Sequence, residues 1–336
     1  MTALVTGATG CLGSALVAHL RDRGDVVRAL VRPGGDLSAL ASGVEVVTGT
    51  LEAEPEALRA AVRGIDVLYH AAAHVHDPHG APERFDAVNV GGTRRLLDAC
   101  DAAGVAPRVV FFSTVAVYGE ETPPEGIPEE APVAPATPYA ASKVRAEENV
   151  REWAARRGVV PVILRVATVY GPRDRGNMAR MLKAVAAGRF FLPDGGYNRK
   201  TCVAAETVAR CARAAATMPP GGVPEGAVVV ADPEGPYRLC DLAAAMASAL
   251  GSGSAGRALP LPLLLAAGGL GEVIARVSGR RAPLTRAQVR RLAANNVYLS
   301  RRMREIIEVS DCIPLSEGMA RAVSWERDAT ERQRRR

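Results

Sequence analysis

Lysine is nearly missing from this chain: Lys143, Lys183 and Lys200 are the only three among 42 basic residues. So lopsided a choice, beside many Ala, Gly and Val, reads as a coding bias, and Arg density then says little about ligands. Aromatic residues are scarce at 4%. The six cysteines (Cys11, Cys100, Cys202, Cys211, Cys240 and Cys312) form no C-x-x-C pair and no regular spacing, so reduced cytosolic thiols are the default. The opening MTALVTGATG has neither the basic start nor the apolar centre of a signal peptide. No long hydrophobic run is present either. The most apolar stretch, Leu259 to Leu270, is broken by Pro260, Pro262, Gly268 and Gly269, and a bilayer span needs about 20 apolar residues. The expected address is the cytoplasm, with no membrane partner.

What is present describes a folded protein. The 336 residues are 48% hydrophobic and 23% charged, which excludes disorder and suits one large or two intimate domains. The net charge of +6 hints at nucleic acid, but Arg327 to Arg336 alone holds five Arg against Asp328 and Glu331. Half of the excess is therefore a basic tail, expected to fray, and no nucleic-acid partner is expected.

Short, β-branched runs at Ala3–Thr6, Val26–Val31, Val44–Val47, Val67–His70, Val109–Ser113 and Val160–Val166 alternate with helical stretches at Cys11–Arg23, Ala87–Ala103 and Tyr139–Arg157. Nearly all-apolar strands spaced this way predict an α/β fold: a doubly wound parallel sheet (Rossmann) buried on both faces. After Gly171-Pro172 the character changes. Helices are expected near 177–188, 204–217, 239–250 and 285–295, with a strand at Val228–Ala231 and a linker-like 251–257. The expected division is a dinucleotide-binding domain over 1–171, to which 201–231 returns, and a smaller C-terminal substrate-binding domain over 172–200 and 232–326.

Gly7-Ala8-Thr9-Gly10-Cys11-Leu12-Gly13 follows the first strand and opens a helix. Its glycines permit a tight turn, close approach of a pyrophosphate and close helix–strand packing, and the helix N-terminus offers unpaired N–H groups. The second strand ends Val31-Arg32 with no acid before Asp36. An acid there would hold a ribose 2′-hydroxyl; Arg32 instead suits a 2′-phosphate, favouring NADP(H) with NAD possible. Tyr139 and Lys143, four apart, share a helix face, so a nearby ammonium is expected to lower the phenol pKa and make Tyr139 an acid/base. Ser113-Thr114 ends a strand at the same sheet edge.

With these motifs the sequence resembles the extended short-chain dehydrogenase/reductase family, the NAD(P)-dependent epimerase/dehydratase group. The resemblance runs through TGATGCLG (6–13), LYHAAA (68–73), NVGGT (89–93), FFSTVAVYG (111–119), PYAASK (138–143) and LRVATVYGPR (164–173), and more weakly to SEGMARAVSW (316–325). It implies an enzyme with Thr114, Tyr139 and Lys143 as catalytic residues: Tyr139 the acid/base, Lys143 on the nicotinamide ribose, Thr114 on the reacting oxygen. It also implies cofactor contacts from Gly7, Thr9, Gly10, Cys11, Leu12, Gly13, Arg32, Leu51, Ala71, Ala72, Ala73, Asn89, Ser113, Tyr170 and Gly171. His74, Val115, Asn177 and Arg199 join Thr114 and Tyr139 as expected substrate contacts, and a homodimer through the helices near 87–103 and 139–157 is implied.

Departures narrow the chemistry. Gly49-Thr50-Leu51 stands where the family often has Gly-Asp on adenine. Val115-Ala116 follow Thr114 where 4,6-dehydratases carry Asp-Glu, and the Glu of decarboxylating relatives is missing. Alcohol–ketone interconversion on a cyclic small molecule is therefore expected, with an NAD-retaining nucleotide-sugar 4-epimerase as the alternative and a non-catalytic cofactor sensor behind it. The apolar 259–283 segment is similar to sterol-dehydrogenase-like and dihydroflavonol-reductase-like members and suits either a hydrophobic pocket or core packing. His70, His74, His76 and His79 cluster, but a substrate-lining or solvated loop is expected there and no metal.

Overall fold

In the computed structural model, residues 1–52, 55–75, 81–278, 282 and 284–334 are described. The β-branched runs do become strands: β1 (Thr2–Thr6), β2 (Val26–Val31), β3 (Glu45–Thr48), β4 (Val67–His70), β5 (Arg108–Thr114) and β6 (Val162–Val166). Short strands follow: β7 (Thr168–Tyr170), β8 (Phe191–Pro193), β9 (Arg199–Lys200), β10 (Cys202–Ala204), β11 (Ala227–Val230), β12 (Tyr237–Arg238) and β13 (Arg257–Leu259). Seven of them form one sheet in the order β11-β6-β5-β4-β1-β2-β3, every neighbour parallel. The remaining strands pair off as β7 with β10, β9 with β12 and β8 with β13.

Eleven α-helices are present among the described residues. They are α1 (Cys11–Asp22), α2 (Pro55–Val62), α3 (Pro82–Phe85), α4 (Gly92–Ala102), α5 (Pro138–Arg157) and α6 (Asn177–Ala186), then α7 (Ala205–Thr217), α8 (Leu239–Leu250), α9 (Leu261–Ser278), α10 (Arg286–Ala293) and α11 (Leu315–Arg334). Leu16, Val17 and Leu20 of α1 and Val208 and Ala212 of α7 cover one sheet face with Val5, Val27, Val110 and Val229. Leu58, Leu96, Val150 and Trp153, from α2, α4 and α5, cover the other with Leu4, Leu68, Val109 and Ile163. Burying each such Leu contributes about 1.5–3 kcal/mol. A third core joins α6, α8 and α11 through Leu182, Leu239, Met246, Met319 and Val323.

The order of strands reverses between β1 and β4, which opens a crevice at their C-terminal ends, where this architecture binds ligands. Two expectations about elements need correction. The stretch expected as one helix over 87–103 is a π-helical turn over Asp86–Gly91 followed by α4, with α3 leading directly into the turn. The tail expected to fray continues α11 as far as Arg334.

Candidate active site

Gly7 leaves β1 at φ +71°, and a Cβ there would lie 2.8 Å from the Ala72 amide nitrogen. Only glycine lets the loop approach the end of β4 so closely. A Cβ on Gly13 would sit 2.1 Å from the Gly7 carbonyl oxygen, so this glycine sets the contact between α1 and the loop. Gly10 caps α1 without a side-chain hydrogen bond, and no acid stands in the first turn. The amides of Cys11, Leu12 and Gly13 therefore open a helix N-terminus that suits a pyrophosphate. Ala71 and Ala72 form the opposite wall at the end of β4, with Ala73 next in the chain. These residues fit a dinucleotide.

At the end of β2, Arg32 is exposed and no ion pair holds it among the described residues. Asp36 is engaged elsewhere: it accepts from Ser38 Oγ at 2.6 Å and pairs with Arg173, which follows β7. The Ser38 hydrogen bond and Arg173 hold the Asp36 carboxyl below the usual range. Leu51 is buried against Gly92, and its carbonyl accepts from Arg95 Nε at 2.8 Å.

His70 ties the crevice together. Thr93 Oγ1 donates to the Asn89 carbonyl at 2.6 Å and so accepts from His70 Nε2 at 2.9 Å. His70 Nδ1 then accepts from Thr6 Oγ1 at 2.8 Å, and Thr6 Oγ1 in turn accepts the Ala72 amide at 3.1 Å. Every partner suits a neutral imidazole, and burial, helped by the Lys143 charge, pushes its pKa down to about 3. His70 is thus a structural crosslink. Asn89, in the π turn, accepts the His74 amide at 2.7 Å and donates to Ser142 Oγ at 2.9 Å. Ser142 Oγ donates to the Tyr139 carbonyl at 2.7 Å, so the His74 loop and the start of α5 are fixed to each other.

Helix α5 is set by Thr137, whose side chain accepts from the Ala140 amide at 3.2 Å, and by Pro138 in its first turn. That start places the Tyr139 phenol near the Thr114 hydroxyl, which acts to lower its pKa. Phe85 packs on Tyr139 with ring centroids 6.2 Å apart, and His74 packs on Phe85 at 5.0 Å. Lys143, one turn along α5, is buried with its ammonium 4.0 Å from the centre of the Phe111 ring. The lowered phenol expected from the Tyr–Lys spacing is not what the fold produces. Burial pushes Tyr139 up to about 12, only partly opposed by Thr114. Burial also pushes Lys143 down to about 7, with Glu147 acting to raise it.

Glu147 is a residue that sequence reasoning missed. Fully buried one turn beyond Lys143, it accepts from Ser113 Oγ at 2.5 Å, Arg165 Nη2 at 2.8 Å and Arg151 Nη2 at 2.9 Å. Arg165 also donates to the Tyr118 hydroxyl at 2.8 Å. Burial works against the charged carboxylate, yet the Arg165 and Ser113 hydrogen bonds prevail and hold Glu147 below the usual range. A usable signal existed: Arg165 interrupts the apolar run of β6, and a buried guanidinium demands a buried acid.

Other expected residues stand apart. Tyr170 is buried with its hydroxyl on Asp232 at 2.7 Å, so its side chain packs into the third core. Val115 lies in the core beside Val117 and Tyr118. Asn177 begins α6 and Arg199 lies on exposed β9; no hydrogen bond joins either to the Tyr139 cluster among the described residues. His76 and His79 lie outside the described residues. No group of three or more His, Cys, Asp or Glu is placed to hold a metal among the described residues.

The family model for the NAD dependent epimerase/dehydratase family matches residues 3–231. A 4-hydroxy-2-methyl-3-oxo-4-farnesyl-3,4-dihydroquinoline-1-oxide ketoreductase from Stigmatella aurantiaca is 35% identical over 226 residues, 66% of each chain. An N-acetyl-alpha-D-glucosaminyl-diphospho-ditrans,octacis-undecaprenol 4-epimerase from Escherichia coli O157:H7 is 27% identical over 277 residues, 81% of each chain. The crystal structure of UDP-glucuronic acid 4-epimerase from Bacillus cereus in complex with NAD shares the fold, with a TM-score of 0.74 at 20% identity over 98% of this chain and 99% of that one. The chain spans between about half and two thirds of the length of the first curated relatives it matches (59%, 53% and 66%).

Proposed function

The chain belongs to the NAD dependent epimerase/dehydratase family, NAD(P)-dependent enzymes of the extended short-chain dehydrogenase/reductase type, and on that footing we propose that it interconverts a secondary alcohol and a ketone on a cyclic small molecule. The observation that carries the reading is the Tyr139 phenol set near the Thr114 hydroxyl at the start of α5, with buried Lys143 one turn along the same helix. Val115 and Ala116 follow Thr114, and the nearest-turn carboxylate, Glu147, is committed to Ser113 and two arginines. Elimination and decarboxylation would need a carboxyl group free to act.

The nicotinamide, when bound, supplies or accepts the hydride. The protein's own residues do the rest. A phenol held near pKa 12 stays protonated at neutral pH, so Tyr139 Oη delivers a proton to the carbonyl oxygen in reduction. Thr114 Oγ1 holds that oxygen beside Tyr139. The Lys143 ammonium holds the ribose hydroxyls, while Gly7, Gly10 and Gly13 admit the pyrophosphate. Arg32, exposed and without an acid before Asp36, supports a preference for NADP(H). Residues 172–200 and 232–326 hold the substrate in this reading. The ketoreductase relative acts on a cyclic ketone by its name, which agrees with it.

A 4-epimerase that retains NAD is the second reading, favoured by the epimerase match over 81% of the chain. Following NADPH and NADH oxidation against polycyclic ketones, steroids and nucleotide-keto-sugars separates the two. Net NADPH consumption that disappears in Tyr139→Phe supports the reductase. A tightly retained NAD with no net consumption rejects it in favour of the epimerase.

A further inference from the structure

Helix α9 leaves an entire face uncovered. Leu263, Leu270, Val273 and Ile274 are 55%, 61%, 54% and 55% exposed, and Ala266 and Ala267 between them are exposed too. Positions 263, 266, 267, 270, 273 and 274 follow helical spacing, so they form one continuous aliphatic stripe about three turns from end to end. The opposite face is occupied: a Cβ on Gly268 would meet the Arg286 amide at 2.9 Å, and one on Gly271 the Leu284 carbonyl at 2.6 Å. Glycines thus let α10 lie directly against α9. Nothing else among the described residues covers the stripe, an unusual exposure for a soluble surface.

Charge on the same helix pair is one-sided. Helices α9 and α10 carry Arg276, Arg286, Arg290 and Arg291 against the single acid Glu272, a net +3. Glu272 accepts the Arg286 amide at 2.8 Å, and Arg291 pairs with Glu120 at 3.0 Å. Arg276, Arg286 and Arg290 are exposed and have no carboxylate partner among the described residues.

We propose that α9 and α10 form a peripheral docking surface for anionic lipid membranes, the aliphatic stripe of α9 entering the headgroup–acyl boundary and the arginines meeting lipid phosphates. An exposed amphipathic helix beside a basic cluster lies in the interface and does not span it. No helix among the described residues is long and apolar enough to cross a membrane. This departs from the expectation of no membrane partner, because exposure of the stripe is visible only once the chain is folded. A second copy is a poor occupant, since a two-fold contact would bring net +3 against net +3 with Glu272 as the sole acid of the two helices. An acidic protein fits less well, because the stripe carries neither aromatic anchors nor hydrogen-bonding groups. This surface shares no residue with the glycine loop or the Tyr139 cluster and stands whatever the reaction.

Vesicle sedimentation of the purified full chain tests it. Binding is expected to phosphatidylcholine vesicles containing about one third phosphatidylglycerol, to weaken in high salt, and to be absent on phosphatidylcholine alone. Leu270→Glu with Ile274→Glu should abolish binding while NADPH binding and the melting temperature stay at wild-type values. Arg286→Gln with Arg290→Gln, which leaves the stripe intact, should weaken partitioning about 30-fold. No binding of the wild-type chain at low salt overturns the proposal, as does binding that survives both double substitutions. Dimers in light scattering that the stripe variant loses, without vesicle binding, also overturn it and assign the stripe to self-association.

Discussion

Replacing Glu147 by Gln removes one charge and leaves the side-chain shape, and its effect on Lys143 follows from the geometry of α5. Neighbours one helical turn apart lie roughly 6 Å from each other. A unit charge at that distance in an effective dielectric of about 20 contributes about 2.8 kcal/mol. Arg165 and Arg151 on the same carboxylate offset part of this. If about half survives, roughly 1.4 kcal/mol, the Lys143 pKa falls by about one unit. Burial holds that ammonium at about 7 even with Glu147 acting to raise it. A lysine with a depressed pKa is charged below that value and neutral above it. Activity that needs the ammonium should therefore fall as pH rises through about 7 in the wild type and through about 6 in Glu147→Gln. The assay is the pH dependence of kcat/KM for NADPH, with the unfolding midpoint in urea measured beside it. Stability should fall by about 2–4 kcal/mol, because the Arg165 guanidinium, only 8% exposed, loses its counter-charge. A loss of stability with the pH midpoint unmoved refutes the electrostatic part and leaves Glu147 a packing residue.

Gly13→Ala should destabilise the chain by about 1–3 kcal/mol and weaken cofactor binding, read by thermal melting and NADPH fluorescence, because its Cβ falls 2.1 Å from the Gly7 carbonyl. Wild-type stability in that variant would mean that the loop yields freely. Arg32→Glu should raise KM for NADPH and lower it for NADH, moving their ratio by about tenfold or more; an unchanged ratio removes Arg32 from cofactor choice. Asp232→Asn tests a buried carboxyl pushed up to about 7 from 3.8 by burial, against the Tyr170 hydrogen bond. Its folded form binds the proton more tightly than the unfolded form, so stability is lost as pH rises from about 4 to about 7, by roughly 4 kcal/mol from this group. Asn should flatten that decline in urea unfolding at successive pH values, and an identical slope would show that the carboxyl does not titrate there.

What could be read from residues alone depended on whether the chemistry was local. The glycine loop was legible because its constraint is the missing Cβ, and Tyr139 with Lys143 because four residues define a helix face. The same period extends to Glu147 and Arg151, yet an acid on a helix carries no mark of burial until Ser113 and Arg165 arrive from two strands. Helix α11 was hidden by its charged surface, since Met319, Ala322 and Val323 are the buried positions of a mostly polar stretch. The π turn around Asn89 shifts a hydrogen-bond register and leaves composition untouched. Lysine scarcity proved a partial guide. Besides Lys143, Lys200 donates to the Arg291 and Ala294 carbonyls and to Asn296 at 2.7–3.0 Å, closing the end of α10. Both are sites where a compact ammonium with three donors fits and a planar guanidinium does not. Lys183 only pairs with Glu326 at the surface. The apolar 259–277 stretch marks the opposite limit: its hydropathy is the same whether the residues pack inward, line a pocket or face outward. Only the glycine contacts between α9 and α10 decide which side of the helix is buried, and so leave the leucines, valine and isoleucine of the other side in need of a partner.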